Sequence, residues 1–337
     1  MQTRRRVLEG LGSGIALAAI GSPSGVGAAP AAIKLVAFAG ASNWPTWVGM
    51  EKGFFAAEDV QVALELTPNS VELAKNLYSG RYDLALTSVD NIVAYDEGQG
   101  EAELPGRPDF VAVMGVDNGL LSLMAQPGIA SVGDLRGKTV AVDALTTGFA
   151  FVLREMLGAA GLGLGDVTTI AVGGGAQRLS ALREKKFDST LLNTPLDLLA
   201  EGAGMVRLGR AAEIVGAYQG IVGAARRDWA EGNRDGLVRF IKAFAASVRW
   251  MAEPGNKDEA VRIFIARSGG TTPRPLAERI HAELTDPRSG IYRDLRVDPE
   301  GLRTVLRLRE KYATSGQPLS DPSRYVDDSY RAAALRS

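Results

Sequence analysis

Ser131-Val132-Gly133-Asp134-Leu135-Arg136-Gly137-Lys138-Thr139-Val140-Ala141-Val142-Asp143-Ala144-Leu145-Thr146-Thr147-Gly148 is the stretch that decides the fold class. Residues 139–142 form a short apolar run that reads as a strand, and Thr146 or Thr147 then opens a helix-period segment reaching Leu157. The unit recurs after it, as strand 167–172 with helix 175–185 and strand 189–192 with helix 194–201. It also recurs before it. Strand 33–38 leads through the loop 39–45 into a short helix reaching Phe55, and strand 60–66 leads into a helix capped by Asn69, with Glu72 three residues on. Strand 83–86 precedes a helix over 90–97. Strands 110–116 and 120–125 are separated by Asp117-Asn118-Gly119, where the chain reverses or crosses over, and 218–225 reads as a strand returning to the first set. Beyond it, helices are expected over 236–252, 258–267, 274–284, 299–312 and 323–335. Alternation at this spacing predicts an α/β fold of mostly parallel sheets covered by helices.

The first 31 residues read differently. Thr3-Arg4-Arg5-Arg6-Val7-Leu8, a mild apolar stretch from Gly10 to Ile20 and a small-residue end make an export signal rather than part of the fold. The start is similar to twin-arginine (Tat) leaders, although Val7 and Glu9 stand where those leaders usually carry Phe and Lys. An ordinary Sec leader is the alternative, and cleavage after Ala28 or after Ala31 fits equally. The expected destination is the periplasm.

Composition narrows the classes further. The chain has no cysteine, which excludes disulfides, thiolate metal sites, a cysteine nucleophile and the lipid-modified cysteine of a tethered lipoprotein. With 38 basic and 39 acidic residues there is no concentrated basic face, so no nucleic-acid partner is expected. The apolar part of the leader is glycine-broken and shorter than the ~20 residues of a spanning helix, so no stable membrane insertion is expected. The 337-residue chain is long enough for two domains.

Two stretches resemble a known family. Asn43-Trp44-Pro45-Thr46-Trp47-Val48-Gly49-Met50-Glu51-Lys52-Gly53-Phe54-Phe55, with Gly80-Arg81-Tyr82-Asp83-Leu84-Ala85 after it, is similar to the opening of periplasmic solute-binding proteins of the nitrate/sulfonate/taurine class. These are related to the thiamine-precursor-binding (NMT1/THI5-like) proteins. Residues 131–142 resemble the entry into those proteins' second lobe. The resemblance covers roughly 33–225 and implies a bilobed periplasmic-binding-protein fold of type 2, with two α/β lobes joined by crossover strands and a helical C-terminal part. Lobe one would be 33–116 plus 222–337 and lobe two 117–221. It further implies a monomer that holds a small organic molecule (a sulfonate, a carboxylate or a nitrogen heterocycle) in the interlobe cleft. The closed form would be presented to an ABC permease and its ATPase.

In α/β sheets, ligands gather beyond the carboxyl ends of strands, where loops meet helix N-termini. The candidates after strand 33–38 are Ser42, Asn43, Trp44 and Trp47; a tryptophan there stacks on a flat ligand or simply packs the lobe. Asn69, Ser70, Ser88, Asp90 and Asn91 offer short polar groups at helix starts, and Asp117 sits at the crossing. The sharpest group is Asp143, Thr146 and Thr147, at a helix start suited to a carboxylate or sulfonate unless the threonines merely cap the helix. Gly174, Gly175 and Asn193 complete the set. The three aspartates argue against an anion if two of them face the cleft, and Arg178 is the nearest arginine.

No enzyme chemistry is expected. The lone histidine, His281, lies in the helical tail, with no phosphate loop, triad or metal constellation in the sequence. The pyrimidine synthases that resemble this family depend on histidine and a cysteine-rich segment, and menaquinone-pathway enzymes on the same fold work in the cytoplasm. Neither a cofactor nor a metal is expected. A sensor that reports its ligand to a membrane receptor is the remaining alternative.

Overall fold

The structure, a computed structural model, describes residues 29–313, 318–319 and 321–336. The export-leader reading falls on residues almost all of which lie outside that range; Ala31 already opens the first strand. Ten strands form two five-stranded sheets. The strands are β1 (Ala31–Phe38), β2 (Val60–Thr67), β3 (Leu84–Ser88), β4 (Phe110–Gly115), β5 (Leu121–Ala125), β6 (Thr139–Val142), β7 (Thr168–Ala171), β8 (Ser189–Asn193), β9 (Val206–Arg210) and β10 (Ile221–Arg226).

The first sheet has the order β2-β1-β3-β10-β4 and the second β7-β6-β8-β5-β9. In each, three strands run parallel, and the fourth in order is an antiparallel strand that enters from the crossing between sheets. Central strands are buried on both faces, as Leu35, Val36 and Ala37 of β1 show, because helices cover both sides. Edge strand β2, after the buried Val60, largely alternates half-buried and exposed residues instead. The tail helices Arg234–Ala252, Lys257–Arg267 and Arg274–Thr285 cover the first sheet with Phe240, Phe244, Ile263 and Ile280.

Some expectations are corrected. The helix expected to reach Phe55 is two, Trp44–Glu51 and Phe54–Ala57, broken where Gly53 turns left-handed at φ 74°. The tail segment 323–335 is helical only over Ser329–Leu335, after a short 3-10 turn. β9 escapes the sequence reading because Arg207, Gly209 and Arg210 interrupt its apolar pattern. Its residues are only half-buried, as suits a sheet edge.

The chain crosses between sheets at 116–120 and returns at 216–220. The two passes touch backbone to backbone, for a Cβ on Gly220 would lie 2.0 Å from the Gly119 nitrogen. Gly220 donates its N–H to the Asp117 carbonyl at 3.0 Å, and Val116 donates to Ile221 at 2.8 Å. The Asp117 carboxylate accepts the N–H groups of Gly119 (2.7 Å) and Ile221 (3.4 Å). Asp117 therefore fastens the crossing. Among the described residues, no helix is long and apolar enough to cross a membrane.

Burial pushes the Asp117 carboxyl up from 3.8 to about 6, against the lowering effect of its two backbone hydrogen bonds. The folded value lies above the ordinary one, so folding binds the proton, and that stabilisation is lost as pH rises through about 6. Asp117→Asn cannot titrate. Its stability relative to the parent should rise by on the order of 3 kcal/mol between pH 4 and pH 7. Urea unfolding of both proteins at the two pH values checks this, and a pH-independent difference would refute it.

Candidate functional site

Four strand ends converge between the lobes. Phe38 ends β1 and Ser88 ends β3; Asp143 follows β6 and Asn193 ends β8. They surround a cavity of about 60 Å³, which Ala39, Asn91 and Ile221 line from the first lobe and Thr147, Gly148, Phe149, Gly174, Gly175 and Arg178 from the second. Two helices begin at it, Gly148–Ala159 and Gly175–Arg183. Neither start is capped by its preceding residue's side chain, since Thr147 donates its hydroxyl to the Ala144 carbonyl at 3.1 Å. Positive helix ends thus face the cavity.

The one cationic side chain in the lining is Arg178, 4% exposed. Its Nη1 donates to the Gly173 carbonyl at 2.6 Å and its Nη2 to the Leu191 carbonyl at 3.1 Å, while its Nε has no partner among the described residues. Burial lowers its pKa to about 10, and the charge of Asp143 opposes that fall. Asp143 is the one acidic side chain in the lining, and its buried Oδ1 is likewise without a hydrogen-bond partner among the described residues.

Asp90 is spoken for. Arg309, from the tail helix Pro299–Tyr312, grips it with both arms, Nε to Oδ1 at 2.7 Å and Nη2 to Oδ2 at 2.5 Å. Both side chains are essentially inaccessible to solvent, at 0% and 1%. Arg309 also donates to the Gln99 side chain and, across the cleft, to the Thr146 carbonyl, each at 3.0 Å. Its guanidinium lies 5.0 Å from the Phe151 ring centroid. The helix Pro299–Tyr312 packs against both Val89–Asp96 in the first lobe and Gly148–Ala159 in the second.

Seven expected site residues line the cavity: Ser88, Asn91, Asp143, Thr147, Gly174, Gly175 and Asn193. The others lie elsewhere, for identifiable reasons. Trp44 is fully buried, stacked on Phe264 at 4.3 Å between centroids, with its indole N–H on the Ala260 carbonyl. Trp47 is half-buried against the same Phe264, and Ser42 stands outside the lining. Asn43 donates to the Phe38 carbonyl at 2.7 Å and holds the loop after β1. Asn69 caps the helix Ser70–Tyr78 through the Glu72 N–H, and Ser70 is buried in that helix's first turn. Thr146 gives both its N–H and its hydroxyl to Glu101 of the first lobe at 2.8 Å.

The sequence reading missed Phe38, Ala39, Gly148, Phe149 and Ile221 as lining residues, and Arg309 as the partner of Asp90. His281 packs edge-on to Trp44, with Nε2 2.9 Å from the Met251 carbonyl; burial lowers its pKa. Among the described residues, no cluster of three or more His, Asp or Glu side chains is disposed to hold a metal. A larger groove of about 420 Å³ lies toward the crossing, beside Asn118, Tyr218 and Ala212. Its charged side chains already have partners, Arg210 with Glu283 at 3.0 Å, Arg279 with Glu201 at 2.8 Å, and Asp286 with the Arg288 and Ser289 N–H groups at 2.9 Å, so the smaller cavity is the better site.

A family model described as NMT1/THI5 like matches residues 42–257. No curated protein sequence matches the chain. Among solved structures, the periplasmic nitrate-binding protein NrtA from Synechocystis superposes with a TM-score of 0.75 at 15% identity, over 91% of this chain and 89% of that one. The ligand-binding component of an ABC-type import system from Staphylococcus aureus gives 0.72 at 16% identity, over 91% and 100%. The alkanesulfonate-binding protein SsuA from Xanthomonas axonopodis gives 0.70 at 15%, over 89% and 99%. These likenesses show the periplasmic-binding-protein fold.

Removing Arg309 alone strands a buried carboxylate. Arg309→Met should lower stability by about 3–5 kcal/mol, and adding Asp90→Asn should recover most of that loss. Chemical denaturation of the single and double variants reads the effect. A double variant as unstable as the single would mean that Asp90 is not the burden.

Proposed function

Because the chain belongs to the NMT1/THI5-like family, we propose that it is an extracytoplasmic solute-binding protein. It captures a small organic molecule between its lobes and delivers it to the permease of an ABC importer. The observation that carries this reading is the cavity at four strand ends and two helix starts, with Asp143 and Arg178 in its lining. The printed descriptions of the structural neighbours, binding components for nitrate, alkanesulfonate and ABC import, support the same role. Binding rather than catalysis fits the lone histidine, whose ring is held in the core of the first lobe.

The mechanism follows from how the lobes meet. Gly174 donates its N–H to the Pro68 carbonyl at 3.0 Å, and Ala41 donates to the Thr194 carbonyl at 3.3 Å, both across the cleft. Gly148 abuts Asp90 so closely that a Cβ on it would lie 2.5 Å from the carboxylate carbon, and a Cβ on Gly174 would lie 2.5 Å from the Pro68 oxygen. These contacts belong to a closed state; opening at the 116–120 and 216–220 crossings admits the solute, and its contacts with both lobes favour closure.

Native mass spectrometry of protein purified from an exporting host should find a bound small molecule. Protein that is folded, ligand-free and unresponsive to a broad solute screen by thermal shift would count against the reading. Gly148→Ala and Gly174→Ala should each keep the fold yet weaken solute binding by about tenfold or more, roughly 1.4 kcal/mol, by wedging the lobes apart. Titration calorimetry with the co-purified solute measures it, and unchanged affinity in both variants would remove the glycines from the closing contact.

A further inference from the structure

The helix Pro299–Tyr312 is held at three places, each by a different part of the molecule. Its start is pinned to the crossing: the Gln219 side-chain oxygen accepts the Asp298 N–H at 2.7 Å, and a Cβ on Gly301 would lie 2.4 Å from the Gln219 nitrogen. Its last turn is held by the first lobe through the bidentate Arg309–Asp90 pair. The second lobe takes the same end through Glu155, whose Oε1 accepts from both the Lys311 ammonium and the Tyr312 hydroxyl. Arg154 donates to the Tyr312 carbonyl at 3.4 Å, and the Phe151 and Tyr312 rings lie 5.8 Å apart between centroids.

One grip has to give when the lobes part. The 14 residues of the helix rise by about 21 Å, so a rotation of about 15° at the crossing displaces the far end by about 5 Å, beyond the reach of a hydrogen bond. Arg309 and Asp90 are 0% and 1% exposed, and parting them would strand charge away from water. Lys311 and Glu155 are 53% and 19% exposed, and water takes up both as they separate. We propose that the helix stays with the first lobe and clasps the second at Glu155, which makes Glu155, outside the cavity lining, a positioning residue for closure. Its carboxylate sets how much of the solute-free protein is closed. Only closed molecules bring both walls of the cavity together, so the apparent affinity for any solute follows that fraction. The clasp rests on the hinge of the binding reading and goes beyond it, because it acts with the cavity empty.

The chain has no cysteine, so two can be introduced for labelling. Lys75→Cys in the first lobe and Ala159→Cys in the second, both at exposed positions, carry spin labels whose separation is read by pulsed dipolar spectroscopy. The mature protein is first unfolded in guanidinium, dialysed and refolded, which removes any co-purified solute. The labelled parent should show a closed population. Glu155→Ala should lower its closed-to-open ratio about tenfold, and Tyr312→Phe, which keeps the ring, should lower it less. Arg279→Ala, which cuts the Arg279–Glu201 ion pair elsewhere between the lobes, is the control and should change the ratio less than Glu155→Ala does. A wholly open parent, or a shift in Glu155→Ala no larger than that of the control, would overturn the proposal. A lowered urea midpoint with unchanged distances marks a merely structural contact and overturns it as well. If Glu155→Ala does not fold, Tyr312→Phe decides, a lowered ratio supporting the clasp and an unchanged one removing it. No solute enters the measurement, so the clasp and the binding reading fail separately.

Discussion

The ion pair between Asp90 and Arg309 is the constraint around which the cleft is arranged. Two charges withdrawn from water are costly, and their attraction repays the cost only with good geometry and further hydrogen bonds. Both conditions are met: the contact is bidentate, and Gln99 and the Thr146 carbonyl take up two further guanidinium hydrogens. The pair therefore does more for specificity than for raw stability. It ties the helix Val89–Asp96 to the tail helix and gives the loop before Gly148 a fixed donor to close upon. It also removes a negative charge from the cleft. Without Arg309, a carboxylate would stand against the bare Gly148, and the balance of charge around the solute would be acidic.

The two sheets repeat one plan, three parallel strands followed by an antiparallel strand from the crossing, so each lobe offers its strand ends and helix starts to the other. Closure brings glycines against the facing lobe where a side chain would not fit. The crossings must then bend without breaking. Asp117, Gln219 and the Gly119–Gly220 contact provide a compact joint: Gln219 donates its side-chain N–H groups to the Asp117 and Ile221 carbonyls, and its side-chain oxygen accepts the Asp298 N–H.

Much of this was legible in the chain wherever the signal was local. Asn69 with Glu72 predicted a helix start, and the Glu72 N–H does bond to the Asn69 side chain at 2.8 Å; that same bond withdraws Asn69 from the cleft. Residues after β6 and β8 were readable as site candidates because strand ends in α/β sheets point to clefts. Trp44 was not resolvable this way. Its position in the loop fits stacking on a ligand as well as packing, and only Phe264 and Ala260, more than two hundred positions on, decide for packing. β9 failed for the opposite reason, since an edge strand with charged residues has no distinctive apolar period.

By itself the sequence determined the α/β alternation, the crossing near Asp117, the absence of thiol chemistry and several of the loops that line the cavity. Each depends on spacing over a few residues or on composition, and such information survives in one dimension. The tertiary structure alone decided which of three aspartates faces the cavity. Asp117 is consumed by backbone N–H groups at the crossing and Asp90 by an arginine 219 positions away, which leaves Asp143. A helix such as Pro299–Tyr312 shows only its apolar period in sequence. That its one inward-facing arginine meets a carboxylate in the other half of the chain follows from packing, which no local spacing encodes.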